Sequence, residues 1–301
     1  MAIGALSFSA CDGDGGGNQE QIPQGFVTIP AGTFAMGSTG RNAEYDEIPV
    51  HYVTLTSYLI CDHEVTQSEY ETYCIYSNTS PDNACGKGKD YPVYYVSWYD
   101  AVVYCNLRSI AEGLTPCYKL QEETDPKQWT GIQKDDPTNP TKYCGPASNN
   151  DDWNKITCDF NANGYRLPTE AEWECAARGG IWETNIDVWA GTKTESELSD
   201  YAWYDSNAGS KTHEVGKKLP NGYGLYDMSG NVWEWCWDWY GGDYSTDAAT
   251  DPQGPGSGGG RVRRGGSWFS YASDCRVAGR DDWSPDYRYD GLGFRVVRSA
   301  Q

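Results

Sequence analysis

The stretch Asn221-Gly-Tyr-Gly-Leu-Tyr-Asp-Met-Ser-Gly-Asn-Val-Trp-Glu-Trp-Cys-Trp-Asp-Trp-Tyr240 carries tryptophan at positions 233, 235, 237 and 239. A period of two is that of a β-strand, in which alternate side chains share a face. Four exposed indoles would form a large adhesive patch, so the spacing predicts a strand whose indole face is mostly core. Upstream, Gly164-Tyr-Arg-Leu-Pro-Thr-Glu-Ala-Glu-Trp-Glu-Cys-Ala-Ala-Arg-Gly-Gly180 sets Thr169 three residues before Glu172. That is a capping box, in which hydroxyl and carboxylate satisfy two orphan N–H groups at a helix start. Thr66 with Glu69 and Ser97 with Asp100 repeat it. Before them, Phe26-Val-Thr-Ile-Pro, Thr33-Phe-Ala-Met and Tyr52–Ile60 alternate apolar and polar and predict antiparallel strands. Residues 119–157 are polar, carry Asp-Pro and Asn-Pro pairs, and read as a long surface insertion.

The 301 residues leave the domain count open. Aromatic residues make up 14% of the chain and supply core area that the few Leu and Ile do not. Lys and Arg number 23 against 43 Asp and Glu, a net charge of −20. Nucleic acid is excluded as a partner, because its binding needs clustered positive charge to release counterions. No apolar run reaches the roughly 20 residues of a membrane-spanning helix.

Residues 1–10 are apolar and small and end at Cys11, followed by Asp-Gly-Asp-Gly-Gly-Gly-Asn. This is similar to the end of a bacterial lipoprotein signal. It implies a lipidated Cys11, residues 1–24 as signal remnant and flexible tether, and display on the bacterial cell surface, at the outer membrane. Membrane contact would then run through the lipid anchor alone. Ten further cysteines follow, an even number that export permits to oxidise. Cys105 and Cys175 lie in apolar helical patterns that suit buried free thiols equally. No C-x-x-C pair occurs and the three histidines are far apart, which argues against zinc at the usual ligand spacing.

Six blocks resemble the formylglycine-generating enzyme (sulfatase-modifying factor) family in order: Phe26–Gly37, His63–Glu69, Pro92–Asn106, Gly164–Gly180, Asn221–Tyr240 and Arg264–Arg295. The resemblance implies an α+β, C-type-lectin-like fold, with antiparallel strands, a few short helices and much irregular structure. It implies one domain over residues 25–301. The family's oxidases bind copper through two cysteines five residues apart after Gly-Gly-Ser. Here the first position holds Ser270; Cys275 stands at the second in an ungapped alignment, whereas alignment on Arg276-Val-Ala-Gly-Arg280 moves it to a different family position. One thiol does not provide two soft ligands for Cu(I), so the resemblance extends to fold rather than to oxidase chemistry. The family's Gly-Asn-x-x-Glu segment implies structural calcium through Asn231 and Glu234, oxygen ligands suited to that ion. No other cofactor is expected.

Residues 261–301 interleave two sets of side chains. Gly265, Gly266, Ser267, Trp268, Cys275, Arg276, Ala278, Arg280, Pro285, Arg288, Gly293, Phe294 and Arg295 form one. The other is Phe269, Ser270, Tyr271, Ser273, Asp274, Gly279, Asp281, Asp282, Trp283, Ser284, Asp286, Tyr287, Tyr289, Asp290 and Gly291. The second is poor core material and has the composition of an antibody paratope, with rigid aromatics for contact area and small polar residues for adaptable hydrogen bonds. The arginines, able to fork onto carboxylates and carbonyls, read as scaffold.

This segment resembles the variable region of proteins diversified by retroelements, those of Treponema among them, in which adenine-directed mutagenesis rewrites chiefly Asn codons. Residues 261–301 contain no Asn and close with Gly293-Phe-Arg-Val-Val-Arg-Ser-Ala300. The resemblance implies a non-enzymatic, surface-displayed binder of a protein or other surface macromolecule, with Tyr271, Trp283, Tyr287 and Tyr289 as anchors. The fold alone also admits a carbohydrate-binding lectin, but the tail holds no compact Glu/Asn sugar motif.

Overall fold

The computed structural model describes residues 22–300; Cys11 and nearly all of the segment read as signal and tether lie outside the described residues. Strands β1 (Phe26–Ile29), β2 (Gly32–Met36), β3 (His51–Leu55) and β4 (Tyr58–Cys61) open the domain, followed by helices α1 (Gln67–Tyr73) and α2 (Trp98–Ala111). Short strands β5 (Tyr118–Lys119), β6 (Gln133–Lys134), β7 (Tyr143–Cys144) and β8 (Thr157–Cys158) come next. Then follow α3 (Glu170–Arg178), α4 (Leu198–Tyr201) and β9 (Trp233–Trp239). The chain closes with β10 (Ala249–Thr250), β11 (Arg261–Arg264), β12 (Arg280–Trp283), β13 (Leu292–Gly293) and β14 (Val297–Ser299).

All three predicted capping boxes are made. The Ser97 N–H donates to Asp100 Oδ2 at 2.8 Å and the Asp100 N–H to Ser97 Oγ at 3.1 Å; Thr66 and Thr169 do the same with Glu69 and Glu172. The apolar run Tyr52–Ile60 is two strands, not one. It turns at Thr56, whose N–H donates to Asp251 Oδ1 at 2.8 Å, so β3 joins β2 and β10 while β4 joins β1 and β14. The β4–β14 pairing, with Val297 opposite Ile60, brings the end of the domain against its beginning.

Strand β9 lies inside the four-stranded sheet β12-β11-β9-β13. Its indole face is core as the spacing predicts: Trp233, Trp235 and Trp239 are buried and Trp237 is half-buried. The polar face is buried too, because helix α3 covers it and protein donors satisfy it. Glu234 accepts from Trp173 Nε1 at 2.7 Å, and Asp238 accepts the Glu170 N–H at 2.8 Å. The segment 119–157 is only partly the surface insertion its composition predicts. Trp129 and Trp153 pack edge to face inside it, 5.3 Å apart, and both are buried. The ten cysteines from Cys61 to Cys275 are unbridged thiols, with Cys105 and Cys175 buried. Among the described residues no helix is long and apolar enough to cross a membrane.

Candidate ligand-binding site

The C-terminal segment is held from beneath by arginines. Arg261 lies between the rings of Trp98 and Trp239, 3.8 and 3.7 Å from their centroids, and burial pushes its guanidinium down to about 9. Arg264 pairs with Glu174 and Glu170. Arg276 forks onto Glu47, Arg280 onto Glu170, Arg288 onto Asp100 and Arg295 onto Glu234, each with two bonds of 2.5–3.0 Å. Bidentate guanidinium–carboxylate geometry fixes direction as well as distance. Breaking such a pair when buried costs about 3–5 kcal/mol. The scaffold reading of these arginines holds.

Gly265 and Gly266 leave β11 at φ of +96° and +74°, a region that favours glycine. A Cβ on Gly266 would sit 2.6 Å from Cys275 Sγ. This turn sends Phe269 and its neighbours outward over the sheet.

The exposed side chains there are aromatic. Phe269 is 44% exposed, Tyr271 71%, Trp283 39% and Tyr287 36%. Trp283 and Tyr287 stack at 4.3 Å and 26°, Tyr287 leans on Tyr289 at 5.5 Å, and Tyr289 meets Phe269 at 5.8 Å. Together they border a cleft of about 660 Å³ whose floor includes Trp233 and whose far wall is the turn Glu44–Glu47. Arg263 lies below, 4.8 Å from the Trp283 ring centroid, with Asp281 at 2.6 Å as its counter-ion.

Ten of the residues read from the sequence line this cleft: Phe269, Ser270, Ser273, Asp274, Gly279, Asp281, Asp282, Trp283, Tyr287 and Tyr289. Tyr271, Ser284, Asp286, Asp290 and Gly291 stand outside its lining. Three of the predicted contacts are buried. Ser270 packs its hydroxyl against Ser267, Gly279 gives its carbonyl to Arg264, and Gly291 gives its carbonyl to the Trp233 N–H. Tyr289, read as an anchor, lines the cleft with a half-buried ring, and its hydroxyl accepts from Arg263 Nη1 at 2.6 Å, which makes it a support of the rim as well. Glu44, Tyr45, Asp46, Glu47, Trp233 and Tyr240 were missed. The only sequence signal for the far wall was that Arg276 needs an acid, and that acid lies 229 residues away.

The donor set does not fit calcium at Asn231 and Glu234. Both Glu234 oxygens are taken by Arg295, and one of them also by Trp173. Asn231 accepts the His213 N–H at 2.9 Å and donates to Glu64 at 2.6 Å. The countercharge of Glu234 is a guanidinium. Cys61, Asp62 and His63 bring thiol, carboxylate and imidazole together. Hydrogen bonds to Asp62, Cys61 and Glu69 outweigh burial and push the His63 imidazolium up to about 12. A ring protonated on both nitrogens offers a metal no lone pair. Cys275 is buried, and burial drives its thiol far above the ordinary range.

Fold and site together define a lectin-like scaffold of the sulfatase-modifying type that carries a surface cleft. The chain belongs to the sulfatase-modifying factor enzyme 1-like domain family, which matches residues 14–300. Among solved structures it is similar to Treponema denticola variable protein 1, with 41% identity, a TM-score of 0.75, and coverage of 91% of this chain and 94% of that one. It is 33% identical to the chaperone protein LppX of Paenibacillus barcinonensis over 99% of this chain and 97% of the relative. It is 32% identical to the formylglycine-generating enzyme of Streptomyces coelicolor over 100% and 97%.

Proposed function

We propose that the protein is a non-enzymatic, surface-displayed receptor that binds a macromolecular ligand through the cleft and its aromatic rim, with a C-terminal segment diversified by a retroelement. The observation that carries this reading is the division of labour inside residues 261–301: buried arginines hold the segment through carboxylates, while the rings of Phe269, Tyr271, Trp283 and Tyr287 reach solvent. Part-exposed aromatics on a rigid frame bury much area at low entropic cost. The similarity to the Treponema variable protein supports the same reading. Display through a lipidated Cys11 belongs to this proposal.

Sequencing the native locus tests it. A second, near-identical copy of the segment encoding residues 261–301, differing almost only at adenines, is the expected result. Absence of that copy, with an invariant segment across isolates, overturns diversification. The similarity to formylglycine-generating enzymes favours a second reading, a copper oxidase. It requires copper-dependent oxygen consumption with a cysteine-bearing peptide, abolished by Cys275→Ser.

A further inference from the structure

The cleft is acidic in a way that the paired charges around it do not explain. Its three guanidinium groups are already matched, Arg263 by Asp281, Arg276 by Glu47 and Arg280 by Glu170. Glu44, Asp46, Asp274 and Asp282 also line it, and none of them has a basic partner among the described residues. Asp46 is 4% exposed; its Oδ2 accepts from the Tyr240 hydroxyl at 2.6 Å, and its Oδ1 is buried without a hydrogen-bond partner. Glu44 and Asp282 are held above the ordinary carboxylate range, first by burial and then by neighbouring carboxylates.

Two further features fix the shape of what would relieve this charge. Strand β12 is the edge of its sheet, so Asp281-Asp282-Trp283 has no strand partner on its outer side, where the Asp282 N–H is met only by the Asp281 carboxylate at 2.7 Å. The stacked pair Trp283–Tyr287 stands beside it with both rings exposed. Aromatic faces attract guanidinium and ammonium groups through the ring quadrupole.

We infer that the ligand of this cleft is an extended polypeptide segment rich in Arg or Lys, laid along the edge of β12 with its cationic side chains among Glu44, Asp274 and Asp282, above the buried Asp46. This rests on the receptor reading above. The acidic surface of the whole chain would steer such a partner toward the cleft.

Panning the full chain against a phage-displayed library of linear peptides, then titrating synthetic copies of the enriched peptides, tests the inference. Pools enriched in Arg and Lys are expected. Their affinity should fall about tenfold in the triple variant Glu44→Gln, Asp274→Asn, Asp282→Asn, as the loss of several exposed charge pairs predicts. Thermal melts establish that this variant folds. Enrichment of neutral or acidic peptides, an unenriched pool, or affinity unchanged in the triple variant overturns the cationic assignment. Peptide capture undiminished by Trp283→Ala with Tyr287→Ala instead overturns the site itself.

Discussion

Arg276 and Glu47 meet as a buried bidentate pair, with Nη–Oε distances of 2.7 and 2.5 Å, across 229 residues of sequence. Arg276 belongs to the aromatic-bearing segment and Glu47 to the opposite wall, so this contact, with the Arg280 bond to the Asp46 carbonyl at 2.9 Å, sets the width of the cleft. Arg276→Ala strands a buried carboxylate and should cost about 3–5 kcal/mol. The check is a lower urea midpoint with an unchanged denaturant slope.

The rim should behave in the opposite way. Tyr271→Ala removes an exposed ring and should change stability by no more than about 0.5 kcal/mol; Trp283→Ala and Tyr287→Ala also break the stacked pair and should each cost about 1 kcal/mol, while ligand capture is lost. Tyr289→Ala removes a half-buried ring and the partner of Arg263, and should cost roughly 2–3 kcal/mol. A urea series over these four variants separates rim from support; equal costs for Tyr287 and Tyr289 would contradict the division.

Burial pushes the Asp238 carboxyl up to about 8, with the nearby Glu170 charge adding to it. The unfolded chain releases this proton near pH 4, so the native state holds a proton between pH 4 and 8 that the unfolded state has lost. Its contribution to stability is complete below about pH 4 and is lost as pH rises toward 8. Asp238→Asn removes that titration. The variant's melting temperature relative to the parent should therefore climb between pH 4 and 8, and a flat difference would refute the assignment.

Glu234 answers Arg295 rather than a metal ion. Glu234→Gln should destabilise by about 3–5 kcal/mol, equally in EDTA and in millimolar calcium. Melting curves of parent and variant under both conditions decide it, and a calcium-dependent rise in the parent would restore the metal.

What was legible in the sequence is local. Thr66, Ser97 and Thr169 announce their helices because a capping box closes within four residues, and the Trp233–Trp239 spacing announces its strand. The split of Tyr52–Ile60 into two sheets was hidden, since it depends on Asp251 far downstream. The arginines of the tail were legible as scaffold, but their partners were not: Glu47, Asp100 and Glu170 are ordinary acids in sequence and become counter-ions only when the chain closes. For the same reason Ser270, Gly279 and Gly291 look like surface residues by composition and are buried by topology.

Frame and surface alternate within single turns here. Arg276, Arg280 and Arg288 lie one to a few positions from Asp274, Asp281 and Tyr287. Exchanging the whole segment as a cassette would remove Arg276, Arg280, Arg288 and Arg295 together and leave Glu47, Glu170, Asp100 and Glu234 as buried charges. A lineage that renews this face must therefore spare individual codons inside it, so the selectivity has to reside in the spelling of each codon and not in the borders of the exchanged stretch.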